Sequence, residues 1–113
     1  MRVFLDACID PRTARVFANH EVTTAFELRW HQLKDRILLS HLHGKIDVFV
    51  TTDQGFEHQH NLKKLSFGIL IVHVPKNKLE FYQLIESKLL SALVRVKTGH
   101  ILHVYTEDRD ERA

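Results

Sequence analysis

Cysteine is nearly absent. The single Cys8 rules out an intramolecular disulfide and leaves no zinc-knuckle spacing. Long apolar runs are missing too, since those present, such as 69–72, are far too short to cross a bilayer. No leader pattern precedes the first strand-like run, "MRVFLD", so the expected location is the cytoplasm. Proline and glycine number only two and four, and no linker, internal repeat or low-complexity segment stands out. The net charge of +2 is too small to require a polyanionic partner. There is no Walker loop, no GxGxxG and no Ser-His-Asp pattern.

What remains is an ordinary globular chain. Its 113 residues make one domain, and 44% hydrophobic with 27% charged residues is a typical soluble composition. The charge is uneven. "TEDRDERA" at 106–113 holds four acids and two arginines, a net −2, which leaves +4 on the preceding 105 residues. The expected organisation is a domain over 1–105 and a charged, disordered tail over 106–113.

Short runs rich in Val, Ile and Phe predict strands: "RVFLD" at 2–6, "IDVFVTT" at 46–52, "FGILIVHV" at 67–74 and "HILHVY" at 100–105, with a weaker one, "HEVTTA", at 20–25. The two longest are continuous rather than alternating, as in a parallel sheet covered on both faces. Helices are predicted between them. Asp10 and Pro11 form an N-cap and first turn for 11–19. Leu33, Ile37 and Leu38 share a face over 32–42, with Gly44 to end it. A short helix fits 54–62. Phe81, Leu84 or Ile85, Leu89, Ala92, Leu93 and Val96 repeat at helical spacing over 78–96. This alternation predicts an α/β fold: three layers, α/β/α, with a mostly parallel sheet of about five strands and right-handed crossovers.

Ligands in such folds bind beyond the carboxyl ends of the strands. Asp6 ends the first predicted strand, and Asp53 follows the third after Thr51 and Thr52. Two carboxylates at one sheet edge can share Mg²⁺ or Mn²⁺, which take one or two carboxylates, water and substrate phosphate. Asp53 also reads as a helix N-cap, and one carboxylate can serve both roles. Asp35 lies on the second helix. Glu57 stands one turn beyond Asp53 and is either a further acid of the cluster or a surface residue. The histidines at 41 and 43, and at 58 and 60, are two apart, which does not place a pair on one helix face. His58 or His60 can still meet a substrate near Asp53. His73 and His103 fall in strands as hydrogen-bonded structural residues. Cys8 reads as a buried thiol or a nucleophile. Trp30 is a packing residue or a stacking platform.

"LDACIDPR" and "VTTDQGFEHQHNL", with "LRWHQLKDRILL" and "ILIVHVP", resemble the small PIN-like domains of the PIN nuclease superfamily, similar to the toxin nucleases of toxin–antitoxin pairs. The resemblance spans about 1–105. It implies metal-dependent RNA cleavage, with Asp6 and Asp53 as the metal-binding acids that match the family's pattern. Asp35 and Glu57 are the candidates to assist catalysis, and Thr51, Thr52, His58 and Arg12 the candidates for substrate contact. It implies an RNA substrate, a small antitoxin partner and a homodimer. Two positions depart from that pattern: Ala7 and Ile37 stand where relatives carry acids. They favour the alternative of a degenerate PIN-like domain that binds RNA or protein, while the length and the acids after strands one and three offer a second alternative, a phospho-receiver. The receiver is disfavoured because no second acid follows Asp6 and no Lys follows the last strand.

Overall fold

The computed structural model describes residues 1–107. The β-branched runs form β1 (Arg2–Leu5), β2 (Glu21–Thr24), β3 (Val48–Thr51), β4 (Gly68–His73) and β5 (Ile101–Tyr105). They make one sheet in the order β2-β1-β3-β4-β5, and every neighbouring pair is parallel. The two continuous runs are β3 and β4, central strands buried along nearly their whole length. Burial on both faces is what a continuous apolar run requires.

The strand pleat sends alternate residues to two separate cores. Val3, Leu5, Val48, Val50, Leu70, Val72 and Val104 enter one, and Phe4, Phe49, Ile69 and Ile71 enter the other. Over the first face lies a 3-10 helix, Pro11–Phe17, capped by Asp10, whose side chain accepts from the Arg12 amide. Thr13 and Val16 are both buried, and a three-residue spacing is one that a 3-10 helix eclipses onto one side. The expected helix at 11–19 is therefore shorter and tighter. Two helices share this face, α3 (Leu79–Leu84) and α4 (Glu86–Arg95), which bury Tyr82, Ile85, Leu89, Ala92 and Leu93.

Helical spacing predicts a single helix over 78–96, and the chain instead bends at Ile85 (φ −111°, ψ 24°). Tyr82 is tethered: its hydroxyl donates to Asn77 Oδ1 at 2.8 Å, and the same oxygen accepts from the Asp10 amide at 2.8 Å. Leu89, Ala92 and Leu93 meanwhile seat α4 on the sheet. The two halves are anchored to different elements, and the backbone gives way between them.

The opposite face carries α1 (Asp35–Leu42), α2 (Phe56–Gln59) and a 3-10 turn, Leu62–Lys64. Helix α1 begins three residues later than the periodicity suggests, and Gly44 (φ 74°) follows its end, a backbone that L side chains rarely adopt.

The crossovers do not share one hand. The β3→β4 and β4→β5 connections step the same way along the sheet, yet the first runs over the α2 face and the second over the α3/α4 face. The β1→β2 and β2→β3 connections agree with β3→β4: the first reverses both direction and face, and the second shares both. Given the near-universal right hand of βαβ units, the departure is the β4→β5 crossover, which is left-handed.

Thr106 and Glu107 are held at the end of β5, by the Thr106 amide on the His73 carbonyl and by Lys88 Nζ on the Glu107 carbonyl. The rest of the expected tail, 108–113, lies outside the described residues. Among the described residues no helix is long and apolar enough to cross a membrane.

Candidate functional site

The chain leaves β1 toward one side to form β2 and returns to the other side to form β3. That reversal makes the β1/β3 boundary the switch point of the sheet, the place beyond the carboxyl ends where open α/β sheets bind their ligands. Register aligns Leu5 with Val50, so Asp6 and Thr51 leave the ladder side by side and the Asp6 amide donates to the Val50 carbonyl at 2.9 Å.

Asp6 is held from several sides. Its Oδ2 accepts from Thr51 Oγ1 at 2.8 Å and its Oδ1 from the Ala7 amide at 2.8 Å, while Cys8 Sγ lies 3.5 Å from Oδ2. Thr51 is completely buried, and its Oγ1 in turn accepts from the Asp53 amide at 3.1 Å. Burial raises the Asp6 carboxyl above its ordinary value, the bonds from Thr51 and Ala7 oppose this, and the negative charge of Asp35 raises it further. A carboxylate has about four acceptor positions, so these contacts do not exhaust its capacity.

Asp35 reaches this edge because α1 runs back over the sheet with its first residue at the carboxyl end. His60 joins it. Its Nε2 lies 3.6 Å from Asp35 Oδ2, beyond hydrogen-bond range, and is a buried polar atom with no hydrogen-bond partner. Its ring packs on Phe56, with centroids 4.5 Å apart. An orphaned buried nitrogen beside Asp35 marks a place for a water. Sequence spacing could not choose between His58 and His60. The choice follows from α2 ending at Gln59, which leaves His60 extended (φ −132°, ψ 148°) and turned inward.

The other candidates are placed as follows. Asp53 Oδ1 accepts from the Gly55 amide at 3.0 Å and its carbonyl from the Phe56 amide, so it closes the turn into α2. The formal N-cap of α2 is Gly55, two residues later than expected. Thr52 donates its amide to Cys8 Sγ at 3.4 Å. Glu57 points away from Asp6: its Oε1 lies 3.1 Å from His103 Nε2, and His103 Nδ1 lies 2.8 Å from His73 Nε2. His58 is exposed on α2. Arg12 folds back onto Asp10, 2.6 Å between Nη2 and Oδ2, which holds the Asp10 carboxyl below its usual range.

Cys8 is not the apolar thiol the sequence suggested. The residue is exposed, and its sulfur sits 3.3 Å from Thr51 Oγ1 beside Asp6. Burial of the sulfur and the Asp6 charge both raise the thiol, so it stays protonated and is a poor nucleophile. Trp30 packs at the edge of the second core and stacks on His41.

Among the described residues no three His, Cys, Asp or Glu side chains gather closely enough to hold a metal ion. The oxygen donors present suit a hydrated Mg²⁺ or Mn²⁺ that meets one or two carboxylates and completes its shell with water and phosphate. They do not suit a closed four-ligand zinc site. No family model, curated protein or solved structure matches the chain.

Proposed function

We propose that this chain is a metal-dependent ribonuclease of the PIN-like kind, working at the β1/β3 switch point. What supports the reading is the charge of Asp35 acting on the buried Asp6 carboxyl and, beside Asp35, the His60 Nε2 that has no hydrogen-bond partner. In this reading Asp6 and Asp35 hold the cation, with Asp53 at the rim. Bound Mg²⁺ or Mn²⁺ supplies positive charge against the developing phosphate charge and lowers the pKa of a bound water. Thr51 fixes the orientation of the Asp6 carboxylate through its 2.8 Å hydrogen bond. His60 Nε2–H donates to a phosphate oxygen or orients the attacking water. Glu57 has no part, because it is committed to His103.

The test is cleavage of labelled single-stranded RNA with Mn²⁺. Asp6→Asn and Asp35→Asn are each expected to lower the rate on the order of a hundredfold, the scale of losing an electrostatic contact to the transition state. Glu57→Gln is expected to stay within about twofold, since it lies outside the site. Equal cleavage by wild type and Asp6→Asn would sink the proposal.

A second reading is a PIN-like domain that binds without cutting. Ala7 and the exposed Ile37, where the resemblance expects acids, favour it. It predicts RNA binding that is insensitive to Mn²⁺ and no cleavage under any metal.

A further inference from the structure

Helix α1 and the turn at Leu62–Lys64 enclose a groove of about 570 Å³ on the outer surface of the α1 layer. It is lined by Arg36, Leu39, Ser40, His43, Lys64 and Leu65. No acid lines it, and among the described residues the side chains of Arg36, His43 and Lys64 have no ion-pair partner. Its floor is apolar, supplied by Leu39 and Leu65 between the basic rims. Arg36 follows Asp35 directly, so one end of the groove lies on the turn of α1 that also carries Asp35. Eight helical residues carry the groove about 12 Å away from that edge.

We propose that this groove binds a single-stranded polynucleotide, namely the part of the RNA strand that continues from the scissile phosphate. Arg36, Lys64 and His43 meet backbone phosphates, Ser40 hydrogen-bonds the sugar or phosphate, and a base lies with its flat apolar face on Leu39 and Leu65. Charge complementarity selects the occupant: a surface that, among the described residues, carries two unpaired cations, Arg36 and Lys64, no acid and an apolar floor matches a chain of phosphates bearing flat, weakly polar rings. A run of acidic side chains shares the charge but leaves the apolar floor uncovered, whereas every nucleotide brings both an anion and a flat ring. The inference rests on the ribonuclease reading only for the identity of the strand; the binding surface stands apart from catalysis.

The experiment measures binding with the chemistry switched off. Fluorescence anisotropy of a labelled single-stranded RNA of about 12 nucleotides, within the span common for such sites, is recorded in EDTA at several salt concentrations. The wild type is expected to bind, and the Arg36→Glu/Lys64→Glu variant to bind at least tenfold more weakly. Arg36→Gln/Lys64→Gln removes the charges without reversing them and guards against misfolding, which circular dichroism checks. In that variant the slope of log K against log salt is expected to flatten by about 1.4, from about 0.7 for each single-strand phosphate that is no longer neutralised. Absence of wild-type binding, binding unchanged by either double variant, or tighter binding of a poly-glutamate peptide than of RNA would each overturn the proposal. The last result would assign the groove to an acidic protein. Groove-dependent binding without Mn²⁺ cleavage would defeat the ribonuclease reading and leave the groove standing. Cleavage without groove-dependent binding would do the reverse.

Discussion

Asp6 is the residue where position and chemistry meet, and its chemistry is unfavourable for folding. Burial and Asp35 raise its carboxyl above the ordinary 3.8 despite two good hydrogen bonds. Below that value both folded and unfolded chains carry the proton, and Asp6 costs nothing. As pH rises past it, the unfolded chain releases its proton first, so stability falls until the folded carboxyl has titrated too. Removing the charge should therefore help the fold. Asp6→Asn is expected to melt above the wild type at pH 7, with a gain that shrinks toward pH 4. Thermal scans across that range read it, at about 4 °C or more for each kcal/mol in a domain of this size. A variant that melts lower at pH 7, or a difference independent of pH, would remove the argument that Asp6 is kept at a cost to stability. The placement of Asp6 and Thr51 at the carboxyl edge was legible in the sequence because both stand where an apolar strand run ends. Glu57 was left open because i, i+4 spacing says which residues share a helix face and not which way the face points; here its carboxylate meets His103. His60 was unreadable because its direction depends on where α2 stops.

At the scale of elements, strands were easier to read than helices. A strand needs only an apolar run, and 46–52 and 67–74 became the central pair with one or two residues trimmed at their ends. Helix lengths depend on contacts that no local period contains. Asn77 is one such contact: it joins the 3-10 segment at Asp10 to α3 at Tyr82 through a single side-chain oxygen. Asn77→Ala removes the shared acceptor and is expected to cost about 1–2 kcal/mol, from two net hydrogen bonds of roughly 1 kcal/mol each. Tyr82→Phe should cost about 1 kcal/mol alone and much less in the Asn77→Ala background. Urea denaturation of the four proteins measures the coupling, expected near ~1 kcal/mol. Additive losses would mean that the Asn77 bridge does not link the two elements and that the break at Ile85 has another origin.

At the scale of the molecule, the fold class follows from alternation alone, but the hand of the last crossover does not. Nothing in 74–100 says over which face the chain returns. That is decided by Tyr82, Ile85, Leu89 and Leu93 finding the core shared with Val16 and Phe17, while the aromatic core of Phe4, Phe49, Phe56 and Phe67 is already covered by α1 and α2. The sheet consequently has unequal edges. Strand β2 has four residues and buries only Thr24, whereas β5 pairs with β4 over five positions and lies under α4. Strands β1, β3 and β4 are enclosed between neighbours and covered on both faces. Local opening should therefore begin at β2, where little buried apolar surface opposes it. Native-state hydrogen exchange is expected to rank protection as β1, β3 and β4 highest, β5 next and β2 lowest, with β2 opening well below the global free energy. Equal protection in β2 and β3 would show that the molecule opens only as a whole. If instead β5 opened first, together with α3 and α4, the left-handed crossover would be the weak joint of the fold, and the two-core packing would not be enough to hold it.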